Sequence, residues 1–153
     1  MRISDFLQRS AVDADINASN KPGVLRELVG LLLKVNGDLD PNELVETLMR
    51  REKLQSTGIG DGIAIPHGKT DAVPDIIACV GRSRQGVDFQ SLDGLPTHIF
   101  FTLVVPEKAH GLHLKALARV TRLLKEPAIR LALIEAPDAD AMFDLLMAED
   151  SRL

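Results

Sequence analysis

Residues 98–106, HIFFTLVVP, form a continuous apolar run that is rich in β-branched and aromatic side chains. Residues of this kind are enriched in strands, and the turn-forming residues of SLDGLP, 91–96, end one residue before the run. A second run of the same type, IIACVGRS, covers residues 76–83. The two runs therefore predict a pair of central strands, around which the rest of the chain has to pack.

Helical patterns lie on both sides of these strands. Residues 21–35 carry apolar side chains at helical spacing, and a second helix is predicted from Asp40, as its N-cap, to about Arg50 or Arg51. Near the N-terminus, a short helix is predicted over 4–9 and a strand over 11–17. Further helices are predicted over 111–125, over 128–136 and, after Pro137 and Asp138, up to Leu146.

Strands and helices thus mix along a chain of 153 residues, of which 45% are hydrophobic. That is enough for one substantial core, and no repeat, low-complexity tract or linker-like stretch marks a domain boundary. We expect residues 1–153 to form a single domain, a two-layer or three-layer α/β sandwich.

Composition excludes several classes of protein. A net charge of −4 and the absence of Trp and Tyr remove the basic field and the stacking surfaces that nucleic-acid binding requires. The single cysteine, Cys79, lies in an apolar run, which predicts a buried thiol in a reducing compartment. No leader-like segment opens the chain, and no apolar run approaches the ~18 residues of a membrane span. We expect a cytoplasmic protein that does not insert into membranes.

Residues 56–70, STGIGDGIAIPHGKT, combine glycines, a proline, a histidine and a lysine. This composition predicts a loop that leads to His67, with Pro66 fixing the backbone before it. Two phosphate-binding motifs fail on spacing, because both the Walker A loop and the dinucleotide fingerprint need a glycine where Ile63 stands. We therefore predict no nucleotide site.

A metal site is the next alternative, because His110 and His113 are three residues apart. Zinc needs three or four convergent ligands, and Cys79 lies in a predicted core strand. We predict no metal and no cofactor, and we interpret His98 and His110 as surface or capping residues.

Three separated residues are of the types that a phosphoryl-transfer site uses. They are Arg51 at a helix end, His67 after the glycines and His113 in the first turn of a helix. Imidazole can act as a nucleophile, and arginine can stabilise charge on the transferred oxygens. Sequence spacing does not establish that these segments meet, and helix capping is the alternative role of His113.

The stretches REKLQSTGIGDGIAIPHGKTDAV, 51–73, and GVDFQSLDGLPTHIFFTLVVPEKAHGLHLKALARVTRLL, 86–124, closely resemble the fructose/mannitol/nitrogen-type IIA proteins of the bacterial phosphotransferase system. In that family GIAIPHG carries the phosphorylated histidine, and HLKALARV matches the segment with the second active-site histidine. The resemblance implies that His67 accepts phosphate from an HPr-like phosphocarrier (NPr), with His113 and Arg51 lining the site. Asp61 falls where relatives often have an acidic residue, so a binding role is expected for it. A phosphocarrier must bring its own phosphohistidine close to His67, so we also expect Gly68, beside the histidine, to leave room for that partner at the surface.

The same resemblance implies a mixed central sheet with helices on both faces. Because the chain ends at AEDSRL without room for a IIB or IIC domain, a free-standing IIA of the nitrogen-regulatory type is expected. Such proteins bind targets, for example sensor kinases or potassium transporters, according to phosphorylation state. The alternative is a stand-alone sugar-specific IIA that passes phosphate to a IIB permease component.

Overall fold

The strand predicted from HIFFTLVVP is the central strand of a six-stranded sheet. The computed structural model of the protein describes residues 1–109 and 111–153, so the prediction that His110 is a surface or capping residue lies outside the described residues. In chain order the elements are β1 Val12–Asp13, α1 Lys21–Leu32, α2 Pro41–Leu54, β2 Gly58–Gly60, β3 Ile63–Ala64, β4 His67–Thr70, β5 Ile77–Val87, β6 Thr97–Pro106, α3 Leu112–Leu124, α4 Pro127–Glu135 and α5 Ala139–Asp150.

The sheet is mixed, and β6 is its hub. One edge of β6 pairs with β5 in antiparallel fashion, and the other edge pairs in parallel first with β3 and then with β4. β1 extends the sheet beyond β5 in parallel, and β2 extends it beyond β3 in antiparallel fashion. This confirms the mixed sheet that the family resemblance implied.

Alternating side chains of β6 supply two hydrophobic cores. Ile99, Phe101 and Leu103 are fully buried on the face that α3, α4 and α5 cover. Phe100 and Val104 are fully buried on the opposite face, which α1 and α2 cover. The alternation of a strand with two covered faces therefore produces a three-layer sandwich, and the predicted fold class is confirmed.

Two helices extend further than the sequence indicated. The side chain of Asp40 accepts hydrogen bonds from the amides of Asn42 and Glu43, as predicted for an N-cap, but α2 continues past Arg51 to Leu54. α5 continues past Leu146 to Asp150. In both final turns a buried carboxylate, that of Glu52 or Asp150, holds the helix to neighbouring elements. Because both residues are charged, they do not extend the pattern of apolar residues from which the helix ends were predicted.

The prediction of a loop over 56–70 was wrong, because this segment contains β2, β3 and β4. These strands have two to four residues each and many glycines, so they show no strand-like alternation. Pairing defines them instead, because β3 and β4 pair with β6 and β2 pairs with β3. At the N-terminus, the predicted short helix is two 3₁₀ turns, Ile3–Asp5 and Arg9–Ala11, and the predicted strand is reduced to the two residues of β1.

The cysteine is placed as predicted. Cys79 is completely buried in β5, its thiol donates to the Leu28 carbonyl at 3.3 Å, and burial raises its pKa to about 12. Among the described residues, no helix combines the length and the apolar character needed to cross a membrane.

Candidate functional site

His67 is the first residue of β4, and β6 fixes its backbone. The carbonyl of Pro66 accepts a hydrogen bond from the Leu103 amide at 3.0 Å, and His67 lies opposite Leu103 in the parallel register. The side chain of His67 is half-buried. The histidine is therefore held on a rigid strand edge, with part of its ring open to the surface.

Both ring nitrogens of His67 have a defined partner. Nδ1 lies 2.8 Å from the carbonyl oxygen of Ile65, and Nε2 lies 3.2 Å from Nε of Arg51. A carbonyl can only accept, so Nδ1 carries the proton, and the Arg51 N–H donates to the lone pair of Nε2. This arrangement selects the neutral tautomer in which Nε2 is the nucleophilic nitrogen.

Arg51 is positioned by its own helix. It lies in the last turn of α2, where its Nη1 donates to the carbonyl of Gln55 at 2.8 Å. A cation is favourable at this end of a helix, because the final carbonyls are unsatisfied there. The guanidinium is thus fixed by the helix terminus while its Nε–H points to His67.

His113 faces the same cleft from the other side of the sheet edge. It is the second residue of α3 and is half-buried, and the helix follows Gly111, whose φ of +75° favours glycine. The cleft has a volume of about 540 Å³, and none of the described residues that line it is a carboxylate. Its lining residues are Thr47, Arg50, Arg51, Leu54, His67, Gly68, Lys69 and His113.

The environment keeps both histidines neutral near pH 7. Burial is the main cause that lowers the pKa of His67, Arg51 and His113 lower it further, and the Ile65 carbonyl and Glu52 oppose the shift. Burial also lowers the pKa of His113, with Lys69 adding to the effect. An unprotonated ring at His67 is the form that a nucleophile needs.

Gly68 is a buried residue of β4 and faces Thr47 of α2. A Cβ at this position would lie 2.7 Å from Cγ2 of Thr47, closer than real Cβ atoms come to their neighbours. The sequence had suggested that this glycine leaves room for a partner at the surface. The structure gives a different reason, because the glycine allows α2 to approach the strand that carries His67.

Asp61 lies apart from the residues that line the cleft. It occupies the turn between β2 and β3 with a φ of 58°, it is exposed, and its amide donates to Asp93 at 3.0 Å. Its carboxylate is 4.0 Å from Nη2 of Arg130. The structure therefore brings His67, His113, Arg51 and Gly68 together and leaves Asp61 outside this group.

The remaining described histidine, His98, is half-buried rather than on the surface. Its Nδ1 lies 2.8 Å from the Ser83 carbonyl, so it links β6 to β5. Among the residues that the structure describes, no group of three or more His, Cys, Asp or Glu side chains is arranged to hold a metal ion.

Sequence reasoning missed a buried charged residue next to Arg51. Glu52 is 5% exposed and shares one face of α2 with Leu44 and Leu48. Residues four apart lie on the same face of a helix, so a glutamate in register with two core leucines was the available signal.

Comparisons with known proteins show the family of this chain. The family model described as "Phosphoenolpyruvate-dependent sugar phosphotransferase system, EIIA 2" matches residues 5–149. A fructose-specific EIIABC component of Bacillus subtilis is 39% identical over 98% of this chain, and the chain spans 24% of that longer protein. A nitrogen regulatory protein of Bradyrhizobium diazoefficiens is 36% identical over 95% of both chains. The crystal structure of the nitrogen regulatory protein IIA-Ntr from Neisseria meningitidis superposes with a TM-score of 0.87 and 33% identity, covering 94% of this chain and 98% of that one.

Proposed function

The chain belongs to the EIIA 2 family of the phosphoenolpyruvate-dependent sugar phosphotransferase system, and we propose that it accepts a phosphoryl group on Nε2 of His67 and relays it. One observation carries this proposal. The Ile65 carbonyl holds the ring proton on Nδ1, which leaves the lone pair of Nε2 beside the Arg51 guanidinium, in a cleft whose described lining residues include no carboxylate.

Phosphoryl transfer to Nε2 of His67 does not require a general base. The Nε2 lone pair of His67 attacks the phosphorus of a phosphohistidine on a phosphocarrier, and the electrons of the breaking P–N bond return to the carrier's imidazole. The His67 ring keeps its Nδ1 proton and becomes positively charged. The Ile65 carbonyl, which accepts that proton's hydrogen bond, stabilises the charged ring, as its effect on the pKa of His67 indicates.

The other residues of the cleft stabilise the phosphoryl group. When Nε2 forms a bond to phosphorus, it no longer accepts from Arg51, so the guanidinium can donate to phosphoryl oxygens instead. His113 supplies a ring N–H from the opposite wall, and Lys69 adds positive charge. Donors that are already in place stabilise transferred charge at little cost in reorganisation.

The donor in this proposal is an HPr-like phosphocarrier, and the output is binding of target proteins according to phosphorylation state. The similarity to nitrogen regulatory proteins supports this regulatory role, because in that comparison the two chains match over nearly their whole lengths. Sensor kinases and potassium transporters are the target classes to test first.

A sugar-specific role is the second candidate. It is supported by the 39% identity to a fructose-specific EIIABC component. In this case the phosphoryl group would pass from His67 to a IIB domain. The two roles share the same chemistry at His67 and differ in the acceptor.

Reconstitution with enzyme I, a phosphocarrier and labelled phosphoenolpyruvate tests the shared step. We expect acid-labile, alkali-stable label on the wild-type chain and none on His67→Ala. Label that persists in His67→Ala would contradict the proposal. Adding an isolated IIB domain separates the two outputs, because a sugar-specific protein loses its label to that domain and a regulatory protein retains it.

A further inference from the structure

Glu52 is a buried carboxylate that the phosphoryl-transfer step does not use. Its side chain is 1% exposed, and it lies in the last turn of α2, directly after Arg51. The C-terminal end of a helix disfavours a negative charge, and burial disfavours it further. A carboxylate persists in such a place only when donors surround it.

Three donors converge on Glu52. Nζ of Lys21 lies 2.9 Å from Oε1, and the Thr57 amide donates to the same oxygen at 3.1 Å. The Thr57 hydroxyl donates to Oε2. Lys21 is 11% exposed and lies over the ring of Phe89 at 4.6 Å. The carboxylate therefore joins the start of α1 to the end of α2 and to the residue before β2.

Both hydrogen bonds of His67 depend on the segments that this carboxylate joins. The Thr57 carbonyl accepts from the Ile65 amide at 3.0 Å, and the Ile65 carbonyl in turn accepts from Nδ1 of His67. On the other side, Arg51 immediately precedes Glu52 and donates to Nε2. If the contact between Glu52 and Thr57 shifts, the Ile65 carbonyl and the Arg51 guanidinium shift as well. These two groups are the partners of Nδ1 and Nε2 of His67.

We propose that Glu52, clamped by Lys21 and Thr57, is a positioning residue that sets the tautomer and orientation of His67 for phosphoryl transfer. This inference rests on the proposed function for its catalytic consequence. The effect on the imidazole itself is independent of transfer and can be measured in the unphosphorylated protein.

The test compares four variants with the wild type. Glu52→Gln removes the charge at nearly constant shape, Thr57→Val removes the hydroxyl donor, and Thr57→Ser retains it. Asp150→Asn is the matched control, because Asp150 is a buried carboxylate, 2% exposed at its side chain, paired with Arg119 at 2.7 Å, in another helix terminus. Ring-nitrogen NMR reports the tautomer of His67, and the reconstituted phosphocarrier reports the transfer rate.

We expect a single Nδ1–H tautomer in the wild type and in Thr57→Ser. Glu52→Gln and Thr57→Val should show mixed tautomers and transfer slowed about tenfold to a hundredfold, the range expected for small misplacement of a reacting group. Asp150→Asn should lower the melting temperature and leave both readouts unchanged.

Wild-type tautomer and rate in folded Glu52→Gln and Thr57→Val would overturn the proposal, and so would an equal effect in Asp150→Asn. If Glu52→Gln does not fold, the comparison of Thr57→Val with Thr57→Ser decides. If the wild type takes no phosphate at His67, the proposed function fails, and the NMR comparison still decides whether Glu52 positions the ring.

Discussion

The proton on Nδ1 of His67 determines the chemistry that this residue can perform. A backbone carbonyl, that of Ile65, accepts this proton's hydrogen bond, with 2.8 Å between Nδ1 and the carbonyl oxygen, so the direct acceptor is a main-chain group. Arg51 then has a lone pair to donate to, at 3.2 Å. A backbone acceptor and a helix-end arginine together favour one neutral tautomer, in which the Nε2 lone pair faces the guanidinium.

The depressed pKa of His67 makes stability depend on pH in a defined direction. Burial lowers this pKa from its ordinary value of 6.5. Between pH 6.5 and the lower pKa, the unfolded chain binds a proton at this site and the folded protein does not. The free energy of unfolding should therefore decrease as the pH falls through this window. Urea unfolding at a series of pH values should show a steeper decrease for the wild type than for His67→Gln, and parallel curves would contradict this.

His113 should contribute to transfer far more than to stability. It is half-buried in the first turn of α3 and lines the cleft with His67. We expect His113→Ala to slow phosphorylation at least about tenfold, as loss of one donor to a transferred group does. The loss of stability should be about 1 kcal/mol or less. Lys115→Ala, exposed in the same helix, is the control for both measurements. Normal kinetics in a stable His113→Ala protein would leave His113 with a capping role only.

At the scale of elements, the approach of α2 to β4 brings Arg51 to His67. That approach needs a glycine at position 68, where a Cβ would lie 2.7 Å from Cγ2 of Thr47. The backbone of Gly68 is not in the left-handed region, so the constraint is steric contact rather than φ.

A double-mutant cycle tests this contact. Gly68→Ala should destabilise the protein by about 1–3 kcal/mol, the usual cost of overpacking. Thr47→Ser removes Cγ2 and keeps the hydroxyl that donates to the Glu43 carbonyl at 2.9 Å. The double variant should recover most of the loss, measured by urea unfolding. Additive losses would show that the two positions do not collide.

Helices and strands were predicted correctly where the local sequence pattern is strong. The prediction failed where pairing between strands determines the conformation. The helices of α1 and α3 and the strands of β5 and β6 follow from spacing and β-branched runs. The short strands β2, β3 and β4 do not, because their glycine-rich segments show no alternation. β3 and β4 take their conformation from pairing with β6, and β2 takes its conformation from pairing with β3. The extra turn of α2 was missed for a similar reason, since Glu52 is held by partners distant in sequence.

At the scale of the whole molecule, a buried arginine joins the layers. Arg82 of β5 has no exposed surface, and it donates to the carbonyls of Ala14 at 3.1 Å, Leu133 at 2.9 Å and Ala136 at 2.6 Å. These contacts tie the sheet to the segment after β1 and to the end of α4.

Arg82→Met should be strongly destabilising, because it leaves several buried carbonyls without donors. We expect a loss of about 2–5 kcal/mol in urea unfolding. Arg84→Met is the matched control in the same strand, since Arg84 is 54% exposed and pairs with the exposed Asp15. Its loss should be below about 1 kcal/mol. Equal losses in the two variants would contradict the structural role of Arg82.

The assembly of the site is a property of the whole fold. The sequence identified His67, His113 and Arg51 by residue type and by family resemblance, but their meeting depends on β4 lying beside β6 and on α2 and α3 converging at one sheet edge. Asp61, identified by the same resemblance, lies in a separate turn near Arg130. Residue types can be recognised in a sequence, whereas their convergence requires the packed structure.

Phosphorus–nitrogen correlation NMR on the isotopically labelled, phosphorylated protein tests the central claim most directly. The geometry predicts that phosphorus couples to Nε2 of His67 and that Nδ1 keeps its proton, bonded to the Ile65 carbonyl. Coupling to Nδ1 of His67, or to either nitrogen of His113, would contradict the account.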